Sequence, residues 1–200
     1  MITDINQLDP NKRYTYADYL TWQFDEMVEI IKGKVYRMSP APDRYHQQVS
    51  GNMYGMIWSY LRKNPCQAFS APFDVRLPLP LTKQTNDKID TVVQPDICVI
   101  CDPSKLDHQG CNGAPDWTIE ILSKSTSSKD LNEKFELYQN ARVKEYWIVH
   151  PHEATILVYI LDSKGKYQAL QQKPFTKGDL IPVSIFEGLQ LDTHEIFPED

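Results

Sequence analysis

Residues 117–124 read WTIEILSK, a short apolar run with one carboxylate, Glu120, in its middle. Alternation along a strand sends Trp117, Ile119 and Ile121 to one face and Thr118, Glu120 and Leu122 to the other. Downstream, SKDLNEKFELYQN (128–140) has helical spacing and EYWIVHP (145–151) is extended. Strand, helix, strand at these lengths is a crossover unit, so WTIEIL is expected to pair in parallel with EYWIV and to be covered on both faces. A carboxylate on the second covered face loses hydration, and it asks for a metal, a cation or donors close by.

Two more charges interrupt apolar patterns. Asp96 heads the Val/Ile run of VVQPDICVI (92–100), and Lys134 sits in the helix beginning near Ser127 or Ser128, where Ser127 and Asp130 have capping-box spacing. At 100° per residue Lys134 falls inside the stripe of Leu131, Phe135 and Tyr138, so it points toward the sheet. Asp96 and Glu120 on neighbouring strands suit a hard divalent cation that keeps most of its waters: Mg²⁺, with Mn²⁺ as a substitute. Lys134 would then orient or deprotonate an attacking water and steady charge on a phosphate. The expected reaction is phosphodiester hydrolysis.

The rest of the chain sets bounds on this reading. Two hundred residues at 41% hydrophobic content can bury one substantial core, so 1–200 is expected to be a single domain, with 1–12 a candidate flexible arm. A net charge of -6 excludes a general nucleic-acid glue but leaves room for a DNA enzyme with a local basic rim. No signal peptide or apolar 18-mer is visible, so a soluble, cytoplasmic protein is expected. Cys66, Cys98, Cys101 and Cys111 read as reduced, mostly buried thiols, because strand alternation sends Cys98 and Cys101 to opposite faces and a zinc knuckle needs a turn there.

The spacing predicts a helix over TYADYLTWQFDEMVEII (15–31), a strand in GKVYRMSPAP (33–42), a helix over 45–63 and a strand in FDVRLPL (73–79). ATILVYIL and KYQALQ read as a hairpin around Ser163 to Gly165, and VSIFEGLQLDTHEIF (183–197) as extended peripheral segments. The class is α/β or α+β on a mixed sheet. His108, His150, His152 and His194 show no metal-ligand spacing, and the serines of 123–128 lack the order of a catalytic triad. The aromatic residues read as packing.

Pro95-Asp96 followed by Glu120 resembles the PD-(D/E)XK nuclease superfamily. More closely, QPDICVI (94–100), APDWTIEILSKST (114–126), DLNEKFELYQNARVKEYWIVHP (130–151) and EIIKGKVYRMSPAP (29–42) with His46 resemble the Uma-type restriction-endonuclease-like proteins. The resemblance runs from about Tyr14 to the end. It implies a restriction-endonuclease-like α/β fold, a central mixed sheet flanked by helices, with Mg²⁺-dependent cleavage of DNA by a frequently dimeric enzyme. It also carries Glu29, placed in an acidic helix, as an auxiliary metal or water ligand, and His46 as a phosphate contact. One position departs from the superfamily: Leu122 stands where its lysine would follow the glutamate. Members similar to this chain take the amine from the next helix, which is Lys134 here. The alternative is a catalytically inactive module on the same fold that binds DNA or a protein partner. A small-molecule hydrolase would instead need a closed apolar pocket beside Glu120.

Overall fold

The structure, a computed structural model, describes residues 2–38, 43–79, 85–123 and 128–197. In chain order its elements are α1 (Tyr16–Tyr19), β1 (Val28–Ile31), β2 (Lys34–Arg37), α2 (Arg44–Leu61), β3 (Gln67–Ser70), β4 (Val75–Arg76), β5 (Val92–Val93), β6 (Ile97–Ile100), β7 (Leu106–Asp107), β8 (Gly110–Asn112), β9 (Trp117–Ile121), α3 (Ser128–Asn140), β10 (Glu145–His150), β11 (Thr155–Leu161), β12 (Tyr167–Ala169), β13 (Phe175–Thr176), β14 (Leu180–Pro182), β15 (Gln190–Asp192) and α4 (Thr193–Ile196). The main sheet runs β12-β11-β10-β9-β6-β3, with β13 also on β11, and a second sheet runs β2-β1-β5-β4-β8-β7. The class is mixed α/β, and the crossover is as expected: β9 and β10 are parallel, with Glu120 beside Ile148.

Both faces of the main sheet are covered, because β6, β9 and β10 alternate two apolar sets. Val99, Trp117, Ile119, Trp147 and Val149 pack on α2 residues Val49, Met53 and Ile57. On the opposite face Cys98, Tyr146 and Ile148 pack with Leu137 and Tyr138 of α3 and with Val75 and Val93 of the second sheet. Glu120 belongs to this second layer by alternation, so α3 and the second sheet both look down on it.

Several sequence expectations give way here. The helix expected over 15–31 is one turn, α1, closed by a Thr15/Asp18 capping box. The segment then becomes β1, because Lys32 (φ 51°) and Gly33 (φ 77°) form a two-residue turn with both residues at positive φ, which folds β1 onto β2. VVQPDICVI is two strands, not one. Pro95 lacks an N–H, the ladder breaks there, and β5 and β6 join different sheets. Residues 183–197 are not peripheral: Val183, Phe186, Leu189, Leu191, Ile196 and Phe197 are buried in the layer around α2. The capping position expected at Ser127 lies outside the described residues.

Residues 2–12, expected as an arm, are fastened to the body. Ile5 is buried, the Asp9 N–H donates to the Tyr14 hydroxyl (2.8 Å), and Arg37 donates to Asn6 (2.7 Å). The thiol expectation also needs correction. Cys66 and Cys101 are joined in a disulfide, while Cys98 and Cys111 are free and buried. The antiparallel register explains the pairing: Gln67 lies opposite Ile100, so the next residues outward, Cys66 and Cys101, face each other. Among the described residues no helix is long and apolar enough to cross a membrane.

Candidate active site

The antiparallel pairing of β6 with β9 sets Ile97 opposite Ile119, so Asp96, one residue before β6, lies opposite Glu120. Glu120 falls on the face that α3 covers, while the Asp96 side chain is met by His46 of α2 and the Ile121 main chain. Lys134, in the middle of α3, reaches down to that face: its Nζ lies 3.0 and 3.1 Å from the two Glu120 carboxylate oxygens and 3.0 Å from Glu29 Oε1. One helical turn later Tyr138 donates its hydroxyl to Glu120 Oε1 at 2.6 Å. Residues four apart on a helix are neighbours, so one stripe of α3 delivers both donors to one carboxylate.

Glu29 comes from β1 of the second sheet, not from a helix as the resemblance implied. Its carboxylate ties the second sheet to α3: Oε1 accepts the Gln94 N–H (2.9 Å) as well as the Lys134 ammonium. Asp96 is fixed differently. Its Oδ2 accepts the Ile121 N–H at 2.7 Å, and its Oδ1 lies 3.3 Å from His46 Nε2.

His46 opens the first turn of α2, where Asp43 caps the helix by accepting the His46 N–H (2.9 Å). The imidazole is buried and turned inward, and its Nε2 also lies 2.9 Å from the Ile121 carbonyl. A carbonyl only accepts, so Nε2 carries the proton and donates it to Ile121 O and Asp96. This proton is committed inside the protein, in place of the phosphate contact expected for His46. Burial alone would lower the pKa of His46, but its hydrogen bond to Asp96 and the charge there outweigh burial and hold it above its usual value.

The electrostatics follow from burial. Glu120 and Glu29 are 7% and 6% exposed. Desolvation pushes the Glu120 carboxyl up to about 7, with the Glu29 and Asp96 charges adding to the rise and Lys134 and Tyr138 opposing it. Burial would lower Lys134, but the charges of Glu120 and Glu29 beside it prevail and raise it above the usual lysine value. Lys134 is therefore a held ammonium, which suits it to donate and to steady negative charge and does not suit it to take a proton from water. Above pH 7 the three carboxylates outnumber the cations beside them, the Lys134 ammonium and the His46 ring when protonated, so the buried site carries net negative charge.

Whether a divalent cation fits is a matter of donor chemistry. The side-chain donors are hard oxygens, the net negative charge favours a cation, and Ile121 O joins Asp96 Oδ1 in facing one small donor, the His46 N–H. Among the described residues no group of three or more His, Cys, Asp or Glu side chains is arranged to hold a metal unaided. That is compatible with Mg²⁺, which commonly binds through one or two carboxylates and retains water. The donor set fits.

All five residues singled out in the sequence touch directly or through one shared partner: Glu29, Glu120 and Lys134 in one cluster, Asp96 and His46 in the adjoining one, linked through Ile121. Tyr138 was read only as packing. Its signal was present, since a hydroxyl-tipped ring four residues after an inward lysine must reach the same spot. The main-chain groups of Gln94 and Ile121 leave no trace in a sequence, because every residue carries them.

A mixed sheet with helices on its faces, carrying paired acids on adjacent strands, defines a restriction-endonuclease-like α/β protein. The family model Uma2, described as "Putative restriction endonuclease", matches residues 16–194. The chain belongs to that family. An uncharacterized protein of Synechocystis sp. PCC 6803 is 22% identical over 179 residues, covering 88% of this chain and 89% of that one. The fold is similar to a crystal structure described as a putative nuclease belonging to DUF820 from Anabaena variabilis, with a TM-score of 0.68 and 22% identity over 92% of this chain and 97% of that one.

Proposed function

We propose that this protein is a Mg²⁺-dependent endonuclease that hydrolyses DNA phosphodiester bonds. The observation that carries the reading is the Lys134 ammonium held between two buried carboxylates, Glu120 and Glu29, one strand away from Asp96. The structure described as a nuclease and the family description favour the same chemistry. In this reading Asp96 and Glu120 hold the metal, and Mn²⁺ substitutes for it. The bound ion would supply Lewis-acid polarisation of the phosphate and a more acidic water.

The chain's own residues account for the rest. Lys134 donates toward the non-bridging phosphate oxygen on which charge accumulates as water oxygen bonds to phosphorus and releases a proton to solvent, while the bond to the leaving sugar oxygen breaks and that oxygen takes a proton from solvent. Glu29 keeps Lys134 charged and, as the auxiliary carboxylate, orients the water. Tyr138 fixes the rotamer of Glu120, and His46 fixes Asp96 against Ile121. Leu122 leaves the usual lysine position apolar, and Lys134 replaces that amine from the helix.

Supercoiled plasmid incubated with Mg²⁺ or Mn²⁺ tests the reading. Nicking by the wild type and its loss in Glu120→Ala are expected. Equal inertness of the two proteins in both metals would favour the other reading, a non-catalytic nuclease-fold module binding DNA or a protein. A homodimer, which would let two sites address two strands, is part of the proposal by analogy.

A further inference from the structure

A second cluster of charge lies at the far end of α3. Arg142 is 8 residues beyond Lys134, about 12 Å along a helix axis. There α3 ends in a two-bond cap, Val143 N–H to Tyr138 O (3.0 Å) and Arg142 N–H to Gln139 O (3.1 Å), with Arg142 at φ 67°. This is a Schellman motif, and its left-handed position is one that glycine fills with least strain. The chain places an arginine there.

The guanidinium is given room by a second conformational exception. A Cβ on Gly165 would stand 1.1 Å from the Arg142 nitrogen Nη1, so only glycine at the turn between β11 and β12 lets the group lie there. Among the described residues no hydrogen bond or ion pair claims the Arg142 side chain. A helix C-terminus attracts cations by its dipole, which accounts for a basic residue nearby. It does not account for an arginine at the left-handed position with a glycine cleared beneath it.

Beside Arg142 is a cavity of about 340 Å³ whose wall includes Lys105 and Lys144. Lys144 gives one N–H to Asp116 Oδ1 (2.7 Å) and Lys105 one to the Ala114 carbonyl (2.8 Å), which leaves two donors on each ammonium. Arg142, Lys105 and Lys144 line it beside one carboxylate, Asp116, in a chain whose net charge is -6, and the Arg142 guanidinium, which rests against Gly165, swings in to reach a ligand there. Leu77, Pro78, Pro115 and Ala141 supply an apolar wall. A planar fork with two flanking ammonium groups suits a tetrahedral oxyanion, and the apolar wall suits an organic body attached to it.

We propose that this cavity binds a phosphate group through Arg142, Lys105 and Lys144, separately from the acidic site around Glu120. The proposal does not depend on the nuclease reading. The phosphate belongs to a mononucleotide or to a nucleic-acid backbone, and the two sources share the same recognition chemistry.

The test is an amide-resolved NMR titration of the full chain with inorganic phosphate, adenosine 5′-monophosphate and a short DNA duplex at constant ionic strength. Saturable shifts at Gly113, Asp116, Arg142 and Lys144 are expected with at least one of the three. Tighter binding of the monophosphate than of the duplex assigns a mononucleotide, and the reverse order assigns the backbone. Arg142→Gly should fold at least as stably, since glycine suits the cap, yet bind about tenfold or more weakly. Lys105→Met should weaken binding with the fold unchanged. No saturable shift with any probe, or undiminished affinity in both variants, would overturn the site.

Discussion

Lys134→Met removes the ammonium and keeps most of the stem's volume, so it isolates the charge at the centre of the site. Two carboxylates that accepted it at 3.0 Å are then left together in a pocket where their side chains are only 8% and 10% exposed. Removing one partner of a buried pair typically costs about 3–5 kcal/mol. Because one carboxylate can relieve the loss by taking up a proton, the lower end applies, about 3 kcal/mol at pH 8.5, or about 6–12 °C in Tm for a chain of this size.

The pH dependence has a definite sign. Glu120 in the wild type is raised from 4.5 to about 7, so the native state binds the proton more tightly than the unfolded state. Its effect on stability therefore declines as pH rises from 4.5 to 7 and is flat above. The raised Lys134 contributes fully at every pH below its ordinary 10.5. Without Lys134 the Glu120 carboxyl rises further, and the decline continues above pH 7. The gap between wild type and Lys134→Met should therefore be smaller at pH 5.5 than near pH 8.5. Urea unfolding monitored by tryptophan fluorescence, in the presence of EDTA, measures it. A gap that stays constant across that range would refute the claim that the carboxylates depend on Lys134 for their charge.

Two further outcomes follow from the same geometry. Tyr138→Phe keeps the ring in the core and removes the 2.6 Å bond to Glu120, so it should lose about 1.5–3 kcal/mol in urea unfolding and lower the nicking rate without changing the fold by circular dichroism. Leu122 shares the strand face of Glu120, so Leu122→Lys in the Lys134→Met background should restore part of the plasmid nicking; no recovery despite a folded protein would show that only an amine from α3 reaches the reacting group.

Periodicity determined the parts of this protein whose information is local. Two-residue alternation in WTIEIL placed Glu120 on the face away from Trp117, the helical stripe of 128–140 turned Lys134 inward, and the lengths of strand, helix and strand made β9 and β10 parallel. These are properties of adjacent residues, so a sequence can state them. Where a non-local contact or a backbone turn decided the outcome, the letters misled. MVEII has an acceptable helical pattern, and only the positive-φ turn at Lys32 and Gly33 and the partner strands β2 and β5 make it a strand, which is what carries Glu29 to Lys134. Cys66 and Cys101 are 35 residues apart and become neighbours only when β3 pairs with β6. The inward turn of His46 likewise depends on α2 packing against the end of β9, where a main-chain carbonyl, common to every residue, accepts its proton. Tertiary structure alone decided these, because hydrogen bonds to backbone and pairing between distant strands have no residue-type signature.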